Sequence, residues 1–206
     1  YTGGTLVSAG KITFASPSAR PTNDVLTINK SGSPVTGGTV LLSGASSSLN
    51  AYRAQLLSGL NANASGPVIR TTMGIGTEGI GYLLGSEYNA LHGTSLDSTS
   101  IIFKYSYLGD VDLDGKITTT DFAQIDASYL SGTYSAPGSN AHWINGDFNY
   151  DGLVNYQDYA LITAAFAAQG SSPLTLASLV TQETNRFGAE GGESQRAGTL
   201  GGEGGG

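Results

Sequence analysis

A chain of 206 residues with sixteen acidic and nine basic residues carries a formal charge of −7, which excludes an electrostatic grip on nucleic acid or anionic lipid. The absence of cysteine removes disulfide frameworks, thiolate zinc sites and cysteine nucleophiles together. No apolar run reaches the ~18 residues needed to cross a bilayer, so membrane insertion is not expected; the longest run is LITAAFAA at 161–168.

Thirty-one glycines and abundant Ser and Thr suit a β-rich extracellular protein. The first residue, Tyr1 rather than Met, fits a removed leader or a longer polypeptide. Residues 1–50 read as short strands, KITFAS, DVLTIN and GGTVLLSG, broken by SPSARPTN and KSGSPVTGG. This spacing predicts a sandwich or a β-stack. From Ser48 the period changes, and SLNAYRAQLLSGLN sets Leu49, Tyr52 and Leu56 on one helical face that ends at Gly59. Residues 66–94 are studded with glycine and receive no element, and STSIIFKYSYLG from Ser98 alternates as a strand.

That strand runs into GDVDLDGKITTTDF. With Asp110 as position 1 of a twelve-residue calcium loop, Asp112, Asp114 and Asp121 supply oxygens at 3, 5 and 12. Gly115 makes the sharp turn at 6, Lys116 offers its carbonyl at 7, and Thr118 stands at 9. The pattern recurs 37 residues later in GDFNYDGLVNYQDY. There Asp147, Asn149, Asp151, Leu153, Asn155 and Asp158 take the same six roles around Gly152. Asx-turns without metal are the bland alternative. Against it, seven of the sixteen acids crowd into two loops, where like charges repel unless a cation neutralises them. Oxygen donors without His or Cys favour Ca²⁺, two ions in all, over zinc or copper.

A helix follows each loop: Phe122, Ile125, Tyr129 and Leu130 form one stripe, and Tyr159, Ile162 and Phe166 the other. No helix precedes either loop, so the unit is loop then helix, twice, rather than a sensor that opens between two helices. Residues 107–169 therefore resemble a dockerin domain, the duplicated calcium loop–helix module of secreted bacterial proteins. AYRAQLLSGLN, GIGYLLGSEYNAL and TSLDSTSIIFKYSYLGDVDLDG resemble the β-rich segment that precedes such modules in large bacterial surface proteins. The resemblance implies partner contacts at positions 10 and 11, which are Thr119 and Thr120 in the first repeat and Tyr156 and Gln157 in the second. That inequality argues against symmetric docking on a cohesin.

The expected architecture is a mainly β region over 1–106 with one short helix and a small α-helical dockerin-like domain over 107–170. A helix over 171–188 and a glycine-rich tail over 189–206 complete the chain. GIGTEG at 74–79 matches a dinucleotide-type glycine pattern without the βαβ context. His92 and His142 are read as exposed loop residues, and Glu78 and Glu87 as carboxylates without catalytic support. NKS at 29–31 and NAS at 63–65 are weak glycosylation signals. The chain is therefore expected to be a non-enzymatic, secreted or cell-surface assembly protein. Its leading partner is itself, as a homo-oligomer or polymer joined through β edges and termini in a bacterial surface layer or fibre. The alternative is a dockerin module attaching a secreted carbohydrate-active or adhesive protein to a cohesin scaffold.

Overall fold

The computed structural model describes residues 4–20, 24–31, 37–61, 64, 66–73 and 76–170, all within one compact unit, Tyr1–Ser171. The expected helix at 171–188, the tail at 189–206 and two residues of the second sequon, Asn63 and Ser65, lie outside the described residues.

The β region is a stack. Strands β1 (Thr5–Val7), β3 (Val25–Ile28) and β5 (Val68–Arg70) form one sheet, all parallel. Strands β2 (Lys11–Phe14) and β4 (Thr39–Leu42) pair parallel in the other, which β7 (Ile101–Tyr107) and β6 (Glu78–Leu84) extend antiparallel. The chain alternates between the sheets, so β1–β2 and β3–β4 are successive coils of a flattened solenoid. Parallel register sets like on like: Val7 opposes Ile28, Ile12 opposes Val40, and Phe14 opposes Leu42. Buried Asn29 ties two corners, accepting from Thr71 Oγ1 and Thr72 N and donating from Nδ2 to Thr72 Oγ1.

Helix α1 (Leu49–Gly59) buries the predicted stripe of Leu49, Tyr52 and Leu56. Its last residue must be glycine, because a Cβ there would lie 2.0 Å from the Ile69 carbonyl on β5. The stretch 66–94, given no element from sequence, contains β5, β6 and helix α2 (Gly85–His92). Its glycines serve close approach rather than a loop: a Cβ on Gly81 would sit 2.2 Å from Leu113 Cδ2 and 2.9 Å from the Trp143 ring. Gly79 of the GIGTEG pattern likewise belongs to a strand, where a phosphate-binding helix start would be needed.

Helices α3 (Thr119–Leu130) and α4 (Tyr156–Ala168) follow the two acidic loops. The apolar core continues from Leu26 and Leu42 of the stack through Tyr82 and Trp143 to Ile125 and Ile162 of these helices. Tyr150 fastens the module to β6, its hydroxyl donating to Ile80 O (2.9 Å) and accepting from Ile80 N–H (3.2 Å). That single side chain takes up the outward backbone groups of Ile80, which a further strand would otherwise use.

Candidate metal centre

Loop one is wound around its own carboxylates. Asp110, fully buried, accepts from Asp114 N (3.0 Å), Gly115 N (2.9 Å) and Ser106 Oγ. Asp112 accepts from Asp114 N, and Asp114 from Lys116 N. Asp121 bridges both ends of the loop, taking Val111 N (2.8 Å) on one oxygen and Thr118 N and Oγ1 on the other. Thr118 in turn caps α3 by accepting from Thr120 N.

Loop two repeats the wiring. Asp147 accepts from Gly152 N, Asn149 from Asp151 N, Asp151 from Leu153 N, and Asp158 from Phe148 N and Asn155 N. Asn155 caps α4 through Gln157 N. The backbone turns match as well: Leu113 and Gly115 have positive φ, as do Tyr150 and Gly152 at the same loop positions. The sequence reading missed the residue just before each loop. A Cβ on Gly109 would press 2.4 Å from Ile162 of α4, and one on Gly146 would press 2.7 Å from Ile125 of α3. Phe122 meets Phe166, and Tyr159 meets Tyr129, both edge to face. Each loop thus leans on the other loop's helix, and the reciprocal aromatic pairs are those of antiparallel helices.

Burial raises the carboxyls of this centre above their ordinary range. Desolvation, with smaller help from the Asp121 charge, lifts Asp110 to about 7. Desolvation and the Asp158 charge lift Asp147 to about 7, and burial lifts Asp158 to about 6. Asp121 moves in the same direction for the same cause. Carboxylate oxygens of Asp110, Asp112 and Asp114 lie within 4.8 Å of one another. In loop two, Asp147 Oδ1 is buried and without a hydrogen-bond partner. Oxygens gathered or orphaned in this way fit a hard divalent cation, which would stabilise the charged carboxylates that burial disfavours.

The β region and the link between repeats hold the loops from outside. Trp143 Nε1 donates to Asp110 O (2.8 Å), Lys104 Nζ to Leu113 O (2.5 Å), and His92 Nε2 to Asp112 O (2.6 Å). Arg53 of α1 brings its guanidinium against loop two. His92 is therefore not an exposed loop residue but the end of α2, its ring tilted against that of Tyr88 at a centroid distance of 4.2 Å. His142 is half-buried, and its amide donates to Asn145 Oδ1. Glu78 is engaged by Lys30 and Tyr105, and Glu87 by the amide of Leu84, so both carboxylates have structural roles. Position 8 shows a further departure. Ile117 pairs with the Gln169 side chain through both its N–H and its carbonyl, while Val154 N donates to Tyr134 O.

These observations define a duplicated calcium loop–helix module whose helices pack antiparallel. Residues 108–171 match the family model described as the Dockerin type I domain. That stretch is a dockerin, a calcium-binding, non-catalytic module of extracellular bacterial assembly at the cell surface. No curated protein and no solved structure matches the chain. No helix among the described residues is long and apolar enough to cross a membrane.

The four residues expected to meet a partner, Thr119, Thr120, Tyr156 and Gln157, all lie exposed on the first turns of α3 and α4. Because the helices are antiparallel, the two pairs stand at opposite ends of the helix pair. Tyr156 (76% exposed) shares its end with Tyr129 (51%) and Leu130 (82%), the last residues of α3.

Proposed function

We propose that this chain is a calcium-stabilised attachment unit that binds a heterologous, cohesin-type protein through the α4 N-terminal end of the helix pair. The carrying observation is the exposed cluster of Tyr129, Leu130 and Tyr156 at that end, against Thr119 and Thr120 at the other. Exposed aromatic and aliphatic side chains grouped at one end suit the centre of a protein interface. Two calcium ions, one per loop, hold the helix starts in place through Asp110, Asp112, Asp114, the Lys116 carbonyl, Thr118 and Asp121, and through Asp147, Asn149, Asp151, the Leu153 carbonyl, Asn155 and Asp158. The self-associating layer or fibre subunit expected first from sequence has no support in the family match, which favours a different protein as partner.

Immobilised cohesin modules titrated with this chain in calcium and in EDTA test the reading. Calcium-dependent binding should weaken at least about tenfold on Tyr156→Ala and change little on Thr119→Ala. Equal losses from both substitutions would assign the contact to both ends. Calcium-dependent polymers of the purified chain alone would restore the self-association reading.

A further inference from the structure

The two loops share their wiring but not their charge. Position 3 is Asp112 in loop one and Asn149 in loop two, so the first loop brings four carboxylates to its ligand positions and the second brings three. In loop one, the carboxylate oxygens of Asp110, Asp112 and Asp114 already converge within 4.8 Å. The cations beside the loops differ in the same sense. Lys116 of loop one is exposed, and Lys104 is committed to the Leu113 carbonyl. At loop two, the Arg53 guanidinium faces the Asp147 carboxylate itself. Support differs as well: Asp110 is fixed by Ser106 Oγ and by the amides of Asp114 and Gly115, whereas Asp147 accepts from Gly152 N and its Oδ1 has no hydrogen-bond partner. Calcium affinity in loops of this kind follows the charge of the ligand set and the rigidity of the site, and both favour loop one.

We propose that the loops fill in order, loop one first, and that loop two sets the calcium threshold for docking. The inference rests on the docking reading above, in which the contact lies at the α4 start. Tyr156 and Gln157 stand between Asn155 and Asp158, which hold positions 9 and 12 of loop two. Asn155 accepts from Gln157 N, and Asp158 accepts from Phe148 N and Asn155 N. The same two side chains therefore shape both the end of the loop and the first turn of α4. Filling loop two orders the turn that carries Tyr156, while filling loop one orders Thr119 and Thr120 at the other end of the helix pair. At calcium levels that fill loop one alone, the α3 start is clamped and the docking end is not. Linkage requires the converse: a bound partner tightens calcium at loop two by the same factor that calcium there tightens the partner.

The test uses the full chain, stripped of metal and titrated with calcium, while NMR follows the amides of Gly115 and Gly152, the turn residue of each loop. A parallel titration measures capture by immobilised cohesin modules. Gly115 should shift first, at a calcium concentration about tenfold lower, and capture should rise with Gly152. Asn149→Asp gives loop two the carboxylate it lacks, so the Gly152 transition and the capture midpoint should move together to lower calcium. Gly152 shifting first, or in one step with Gly115, would overturn the order of filling whatever the cohesin does; the parent chain alone decides this. A Gly152 transition left in place by Asn149→Asp would overturn the charge argument. Capture that rises with Gly115, or stays put when the Gly152 transition moves, would overturn the threshold role. Two ordered transitions with no capture at any calcium level would instead remove the docking reading, and the threshold with it, and leave the loop order standing.

Discussion

Arg53 Nη1 lies 3.6 Å from Asp147 Oδ2, so a cation on α1 faces the first carboxylate of the second acidic loop. The guanidinium rests on the loop's turn, since a Cβ on Gly152 would come within 1.9 Å of it, and its Nε and Nη1 have no hydrogen-bond acceptor. A fixed positive charge beside a calcium site opposes the incoming ion while partly compensating the metal-free loop. Arg53→Met should therefore raise calcium affinity at loop two by on the order of tenfold, a fraction of the few kcal/mol that two charges exchange at an effective dielectric near 20. The metal-free protein should melt lower. Titration calorimetry showing an unchanged or weaker second site would make Arg53 an anchor and nothing more.

Calcium removal should loosen more than the module. Sequence alone predicts that chelation unfolds 107–169 and leaves much of the β region intact. In the structure, the only tryptophan, Trp143, is fully buried between loop one and β6, and Tyr150 bonds the outward backbone groups of Ile80 on β6. EDTA should therefore shift Trp143 emission and speed amide exchange in β6 and β7 together. Strand amides that stay protected while the tryptophan shifts would return the narrower expectation.

What could be read in the residues was what repeats or alternates. Both loops and the α1 stripe of Leu49, Tyr52 and Leu56 are periodic signals that local chemistry enforces. The stack was half legible: short strands were visible, but their parallel pairing depends on contacts between β1, β3 and β5 that no local pattern encodes. Residues 66–94 were misleading because Gly79 and Gly81 look like loop residues, whereas β6 needs them to admit Leu108, Leu113 and Trp143 from the module. The roles of Arg53, Lys104 and His92 at the loops were invisible for the same reason, each reaching a loop from a distant element.

The close approach at Gly81 can be measured. Gly81→Ala keeps the backbone conformation accessible but places a methyl where Leu113 and Trp143 already sit. Overpacking of this kind costs roughly 1–3 kcal/mol, and here it falls on the seam between sheet and module. Thermal denaturation should show that loss together with faster exchange of the Ile80 amide, which Tyr150 accepts. A variant as stable as the parent would mean that the seam shifts without cost.

Acidity should act on the metal-free and calcium-loaded protein in opposite senses. Without calcium, Asp110 and Asp147 titrate near 7 and Asp158 near 6, above their ordinary value of 3.8. Between those values the folded chain holds more protons than the unfolded one, so stability falls as pH rises. The contribution is complete below about pH 4, where both states are protonated, and is lost as pH climbs through 6 to 7. Calcium held by the ionised carboxylates would reverse the preference, because protons would then compete with it. Melting in EDTA should therefore be higher at pH 5 than at pH 8, and in millimolar calcium higher at pH 8 than at pH 5. The same pH trend in both conditions would mean that these buried carboxylates do not govern the response.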